Sequence, residues 1–291
     1  MKSPNRLLLT IFFFILSGAL FANLYAQRQH QCGFDHYVEQ LAATHPDMAE
    51  KKAIILSRDN DVTSRTEGEI YSIKTVVHLV ENGSKDPIPD QQVIDVIDVL
   101  TADFRRQNPD TGNIRPIFKD VAGDARIEFD LVDIIRVQTD TTFSFGLLTG
   151  LPDHVKQSAN GGSDAVDPTT HMNIWVCTIE GDAVLGYATP PEGLPNWPAG
   201  SGASTPGLDG VVVHDETFKA FGEIVLQGQT TQIRGRTLTH EVGHYLGLRH
   251  IWGDGLLTLL GIPNCDEDDG VEDTPMQGLQ TSFSCDPSLN T

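Results

Sequence analysis

Residues 240–250 read HEVGHYLGLRH, and this stretch decides how the rest of the chain is read. On a helix, His240 and His244 lie one turn apart on the same face, so two imidazoles can hold one metal ion. Glu241 sits one residue along, beside that metal rather than beneath it, where a carboxylate can take a proton from a metal-bound water. Gly247 stops the helix, because glycine readily adopts the left-handed conformation that a helix end needs. Beyond that turn, His250 can reach the same metal. Three neutral nitrogen ligands with one open position make a catalytic zinc site rather than a closed structural one. Leu238, Val242 and Leu246 give the helix an apolar face. HExxH alone is a weak signal, but a match to all of HExxHxxGxxH arises by chance with odds on the order of one in ten thousand. Gly247 and His250 also argue against the other HExxH zinc class, whose third ligand is a distant glutamate.

Upstream of this segment, strand and helix patterns alternate. IYSIKTVVHLVE (70–81) is rich in β-branched residues and reads as a strand. In 88–108, Val93, Ile94, Ile97, Leu100 and Phe104 recur at three-to-four spacing, which predicts an amphipathic helix ending before Pro109. Residues 125–139 alternate at Ile127, Phe129 and Leu131, as a strand does. MNIWVCTI (172–179) is a compact apolar strand expected to be buried on both faces. Residues 181–191 begin as a strand and end in prolines, which suits an edge. A loop of Gly, Pro and Ser (193–210) follows, then a short strand at 210–215. This order predicts an α/β layer, with helices packed on a twisted sheet. Residues 27–69 differ: they are polar, and 57–69 reads as an exposed linker with Arg58 and Arg65 open to proteolysis.

Composition narrows the function. The 291 residues include 20 Lys and Arg against 40 Asp and Glu, a net charge of −20. That balance argues against a nucleic-acid partner and against docking on anionic lipid. Hydrophobic residues at 39% and charged residues at 21% are ordinary for a folded chain, so global disorder is not expected. At the N-terminus, Lys2 and Arg6 precede the uncharged run LLLTIFFFILSGALFA (7–22), which is short for a membrane span and is followed by small residues. It reads as a secretory signal peptide, residues 1–26, with Gln27 as the first mature residue. An uncleaved membrane anchor is the alternative. No lipobox leads into Cys32. No later apolar run approaches membrane-spanning length, so the mature protein is expected to be extracellular and free of membrane.

The passage 240–250 is the metzincin signature, and its surroundings resemble the pappalysin family, secreted zinc endopeptidases related to pregnancy-associated plasma protein A. The resemblance is carried by MNIWVCTI, VLGYATPP, DGVVV, HEVGHYLGLRHIWGD and the acidic stretch CDEDDGVEDTPMQ, together with Cys32-Gly33. It implies a catalytic domain divided by a cleft. Its upper half (70–250 here) would carry a twisted, mostly parallel five-stranded sheet with an antiparallel edge strand, packed helices and the zinc helix. The lowest strand, 183–190, would pair with an extended polypeptide substrate.

The resemblance has three further implications. Cys32 would act as a pro-segment thiolate that occupies the open zinc position until the segment is cut away. The acidic loop would take calcium, with Asp269 and Thr274 the best-matched ligand positions and Val271 and Glu272 behind them; a solvated acidic loop is the alternative. A methionine turn should lie below the zinc. Met276, the last methionine, sits in the acidic passage and no Met-x-Tyr pattern follows, so the lower subdomain (251–291) is expected to be incomplete. Cys177 reads as a packed thiol. Cys265 and Cys285 could pair with each other or, as in similar proteins, with cysteines further downstream. His78, His154, His171 and His214 carry no spacing signal. The expected activity is a secreted zinc endopeptidase made as a latent zymogen. A zinc-loaded peptide-binding remnant and a calcium-dependent adhesion module are the competing readings.

Overall fold

The computed structural model of the chain describes residues 68–253 apart from 121, 147–149, 182–183, 195–201 and 227–228, together with 269, 271, 274, 277 and 278. The expected signal peptide, the segment 27–67 with Cys32, and Cys265, Glu272, Met276 and Cys285 lie outside the described residues. The regular elements, in chain order, are β1 (Tyr71–Glu81), α1 (Asp90–Phe104), β2 (Ile127–Gln138), β3 (Phe143–Ser144), β4 (Met172–Cys177), β5 (Ile179–Glu180), β6 (Gly186–Thr189), β7 (Gly210–His214), β8 (Gly222–Leu226), β9 (Gln229–Ile233) and α2 (Arg236–Tyr245), with short 3₁₀ turns between them.

Among the described residues, five strands form one sheet in the order β2-β1-β4-β7-β6. The first four are parallel, and β6 runs antiparallel to β7 at the edge, with Gly186 opposite Val213 and Thr189 opposite Gly210. The fold class expected from the resemblance is therefore the one observed. Residues 172–177 of β4 are buried throughout, because the strand is central and both faces are covered. Ile174 and Val176 face α1 and α2 in a core with Val77, Leu79, Val93, Leu100, Val211 and Val242. Trp175 and Cys177 point the other way, into a second core with Phe143, Val155, Tyr187 and Val212. Cys177 is a buried free thiol, as expected of a packed one.

Two details of the sequence pattern resolve differently. In α1 the buried stripe is Val93, Val96, Ile97 and Leu100, while Ile94 is exposed. Helical geometry explains this: Ile94 is about 100° around the axis from Val93, and Val96 completes the three-four spacing. In β2 the alternation breaks after Leu131. Thr75 pairs with Leu131 but Val76 pairs with Asp133, so Val132 is an extra residue in a bulge and faces solvent. The antiparallel hairpin β8–β9 was not anticipated from the sequence. Its second strand, QTTQI, is mostly polar, so apolar alternation gave no signal there.

His78 is an ordinary core histidine in a satisfied polar network. Its Nε2–H donates to Asn173 Oδ1 at 2.9 Å, and its Nδ1 accepts from Ser163 Oγ at 2.8 Å. This tautomer follows from Asn173, whose Nδ2 already donates to the carbonyls of Val166 and His171. The ring also stacks on Trp175 at 5.0 Å. Burial lowers the pKa of His78 below the ordinary imidazole value, against the raising influence of Asn173. A depressed folded-state pKa means that this group's contribution is complete above about pH 6.5, the unfolded value, and is lost as pH falls through the folded value. Denaturant titrations of wild type and His78→Gln at several pH values check this. The variant should be less stable by about 1–3 kcal/mol at neutral pH, and the gap should narrow as the pH drops below 6.5.

Candidate metal centre

The helix α2 is fixed at both ends before any histidine is considered. At its start, Arg236 binds Asp103 (3.1 Å) and Asp110 (2.7 Å), and Thr239 Oγ1 donates to Asp103 Oδ2 at 2.9 Å. Asp103 is in the last turn of α1, so these bonds tie one helix to the other. The Arg236 guanidinium holds the Asp110 carboxyl well below the usual carboxylate range. Leu238 and Val242 anchor the helix in the core, and Leu246 packs against that core from a half-buried position, as the apolar face predicted.

The helix ends at Tyr245, and the following turn is a Schellman motif. The N–H of Gly247 donates to the His244 carbonyl (2.9 Å), and the N–H of Leu248 donates to the Gly243 carbonyl (2.9 Å). Gly247 has φ +95°, a conformation unfavourable for a residue with a side chain. The reversal at this point carries the chain back, and His250 arrives beside the helix, 3% exposed.

The three Nε2 atoms converge. His240 and His244 are 3.1 Å apart, His244 and His250 3.2 Å, and His240 and His250 3.3 Å. Tetrahedral ligands at zinc–nitrogen distances of about 2.0–2.1 Å lie about 3.3 Å apart, so the three nitrogens fit three corners of a zinc site. His244 Nδ1–H donates to the Leu248 carbonyl at 2.9 Å, which leaves its Nε2 lone pair directed at the centre. Trp252 stacks on the His250 ring, 4.6 Å away and nearly parallel. His240 is an exposed residue while the other two are buried, but its Nε2 faces theirs. Burial at that end and the neighbouring His250 lower its pKa to about 4, so the ring is neutral and able to ligate at physiological pH. Among the described residues, these histidines form the one cluster of three metal-ligating groups.

Glu241 is 2% exposed and lies against the edge strand. A Cβ added at Gly186 would come within 2.9 Å of Glu241 Cγ and 3.0 Å of the Val212 carbonyl oxygen. Glycine at 186 therefore lets β6 and the glutamate approach each other. At the far end of α2, the Tyr245 hydroxyl donates to Asp209 Oδ2 at 3.4 Å, and burial pushes the phenol pKa up, which keeps the proton on it. Neither Gly186 nor Tyr245 was singled out by the sequence, because their roles depend on which strand comes to lie beside the helix. A cavity of 460 Å³ opens next to the histidines, with Phe104, Leu248 and Trp252 in its wall. A larger one of 770 Å³ lies at the carboxyl ends of β1, β4 and β7, where Lys85 pairs with Asp215 and Glu216; none of the three histidines lines it.

Of the positions matched to calcium, Asp269, Val271 and Thr274 are described. Asp269 Oδ1 accepts the Val271 N–H at 3.0 Å, and Thr274 N–H donates to the Val271 carbonyl at 3.1 Å. These bonds form a local turn, and among the described residues no further metal-ligating groups gather there.

The geometry gives a direct expectation for metal content. Protein purified without chelator should carry about one zinc per chain, and His250→Ala should reduce that affinity by several orders of magnitude, since it removes one of three ligands. Elemental analysis after dialysis against a zinc buffer measures both.

The chain is similar to known proteins. The family model described as pregnancy-associated plasma protein-A, peptidase family M43, matches residues 157–291. Mature mirolysin of Tannerella forsythia, solved in complex with a cleaved peptide, is 39% identical over 72% of this chain and 73% of its own, with a TM-score of 0.59. A promirolysin mutant from the same organism is 34% identical over 86% of this chain and 77% of its own, with a TM-score of 0.64. An extracellular metalloprotease of Arthroderma otae is 31% identical over 161 residues. The chain spans about half the length of that curated relative (48%). On this match of sequence and structure, the chain belongs to the pappalysin-like M43 family of metzincin metalloproteases.

Proposed function

We propose that this chain is a secreted zinc-dependent endopeptidase made as a latent zymogen, with His240, His244 and His250 as zinc ligands and Glu241 as general base. The observation that carries the reading is three imidazole nitrogens within 3.1–3.3 Å of one another beside a buried glutamate that lies against the outermost strand of the sheet. Zinc bound to these nitrogens supplies a Lewis acid that acidifies water and polarises a carbonyl. Glu241 takes the proton of the attacking water at a carboxylate oxygen and returns it to the departing amine nitrogen. Its burial keeps bulk water from competing for that proton.

The substrate class follows from β6. Among the described residues this strand has a partner on one side only, β7. Its other edge offers main-chain N–H and C=O groups to an extended polypeptide, largely independently of side chains. The cleaved peptide in the mirolysin complex supports this assignment. Secretion is supported by the apolar run 7–22 and by relatives named as extracellular. Latency is supported by the existence of a pro-form of mirolysin and by Cys32-Gly33, whose thiolate is a better zinc ligand than water. Calcium at Asp269, Val271, Glu272 and Thr274 rests on the acidic sequence and the resemblance alone.

Two substitutions test the chemistry. Glu241→Ala should retain zinc and lose casein hydrolysis by at least about 10²–10⁴-fold, the range of general acid–base catalysis. Cleavage at the wild-type rate would rule out Glu241 as the base. If wild type binds zinc and extended peptide without cutting, the chain is a peptide-binding protein instead. Gly186→Ala should also keep its zinc while displacing Glu241, with kcat falling about 10–100-fold; metal analysis and steady-state kinetics on the same preparation read both.

A further inference from the structure

Lys156 ends the 3₁₀ turn Asp153–Lys156 and is 2% exposed. Its ammonium makes two hydrogen bonds and one ion pair. Nζ lies 2.9 Å from Thr189 Oγ1, 2.7 Å from the Leu208 carbonyl oxygen and 2.9 Å from Asp153 Oδ1. The ammonium also sits 5.3 Å from the Tyr187 ring centre and 5.8 Å from that of Trp175, where aromatic faces favour a cation. Its partners come from separate elements. Thr189 is the last residue of β6, and Leu208 lies in the loop that leads into β7. Asp209, the next residue, accepts from the Gly207 N–H and from the hydroxyl of Tyr245, the last residue of α2. One buried cation therefore links the far end of the edge strand to a loop that is itself bonded to the metal helix.

Packing alone does not call for a lysine here, since an apolar side chain of similar volume often replaces a buried ion pair with no loss of stability. What the ammonium adds is direction: two hydrogen bonds from one point, to the end of β6 and to the loop before β7, with the Asp153 carboxylate beside it. Thr189 is three residues along β6 from Gly186, about 10 Å at the usual strand rise, and Gly186 is where Glu241 lies. A peptide paired with β6 and presenting its scissile bond at Glu241 would run alongside Thr189 about three residues further on.

We propose that Lys156 is a positioning residue for extended substrate, fixing the far end of β6 so that its ladder to a bound polypeptide holds register well beyond the scissile bond. This rests on the reading of β6 as the substrate-pairing strand. Lys156 touches neither the metal ligands nor the reacting atoms, so its influence should depend on substrate length.

The test compares peptides that share one scissile bond. One is long enough in both directions to pass Thr189; the others are truncated on one side or the other so as to fall short of it. In wild type, kcat/KM should favour the long peptide over the one truncated on the Thr189 side. Lys156→Met should reduce that long-to-short ratio about tenfold, through KM rather than kcat, the change expected for loss of one charged hydrogen bond. Thr189→Val, which removes only the hydroxyl, should reduce the ratio in the same direction, and Thr189→Ser should recover part of it. If Lys156→Met fails to fold, this Thr189 pair carries the test. Zinc content and thermal midpoint are measured alongside. Equal losses on long and short peptides, or an unchanged ratio in both Lys156→Met and Thr189→Val, would overturn the positioning role and leave β6 as the substrate strand. A wild type with no length preference would overturn the β6 reading itself, and this proposal with it.

Discussion

Three imidazole lone pairs directed at one point are mutually unfavourable unless a cation stands between them, and the surrounding structure is arranged to hold them there. Two histidines on adjacent turns of a helix come at no cost in backbone shape. The third requires the chain to reverse within a few residues, and the Schellman bonds at Gly247 make that reversal while satisfying the carbonyls of Gly243 and His244. The same turn presents the Leu248 carbonyl to His244 Nδ1, so one local motif both brings in the third histidine and sets the tautomer of the second. Trp252, two residues past His250, stacks on its ring.

The sheet supplies what the metal centre lacks. The helix α2 packs across β6 and β7 through Leu238 and Val242, and this docking puts Glu241 against the edge strand, where only a glycine leaves room. In the function proposed above, proton transfer and substrate alignment meet at one contact between a helix and a strand. That contact is held from several directions. Asp103 binds Arg236 and Thr239 at one end of the helix, Asp209 binds Tyr245 at the other, and Lys156 binds the strand's last residue together with the loop before β7. Each hold pairs elements far apart in sequence, as expected for a site assembled between layers of an α/β fold.

Legibility in the sequence followed the range of the interaction. The metal helix, its glycine stop and the third histidine were readable because every partner lies within eleven residues and the helical period fixes who faces whom. The buried run of β4 and the proline-ended strand at the edge of the described sheet were readable because burial on both faces, or a place at an edge, leaves a direct mark on residue type. Ile94 reads as part of the buried stripe in place of Val96 because both are β-branched and both lie three-residue steps from other apolar positions, although the helical angle from Val93 favours Val96. The bulge at Val132 and the polar hairpin β8–β9 left no periodic trace. Lys156 looked like any surface lysine, since its two acceptors come from a strand and a loop far along the chain, and its ion-pair partner from its own turn.

By itself, then, the sequence determined the three-histidine pattern, the helix that presents it and the family resemblance, because these are set by residue type at short, fixed spacing. The tertiary structure decided that Glu241 lies on Gly186, that a buried lysine holds the end of the edge strand, and which apolar residues face the core. Those outcomes depend on how a helix docks on a sheet and where a loop returns to a strand. Such contacts join residues from distant parts of the chain, and no local pattern encodes distances that exist only once the layers have packed.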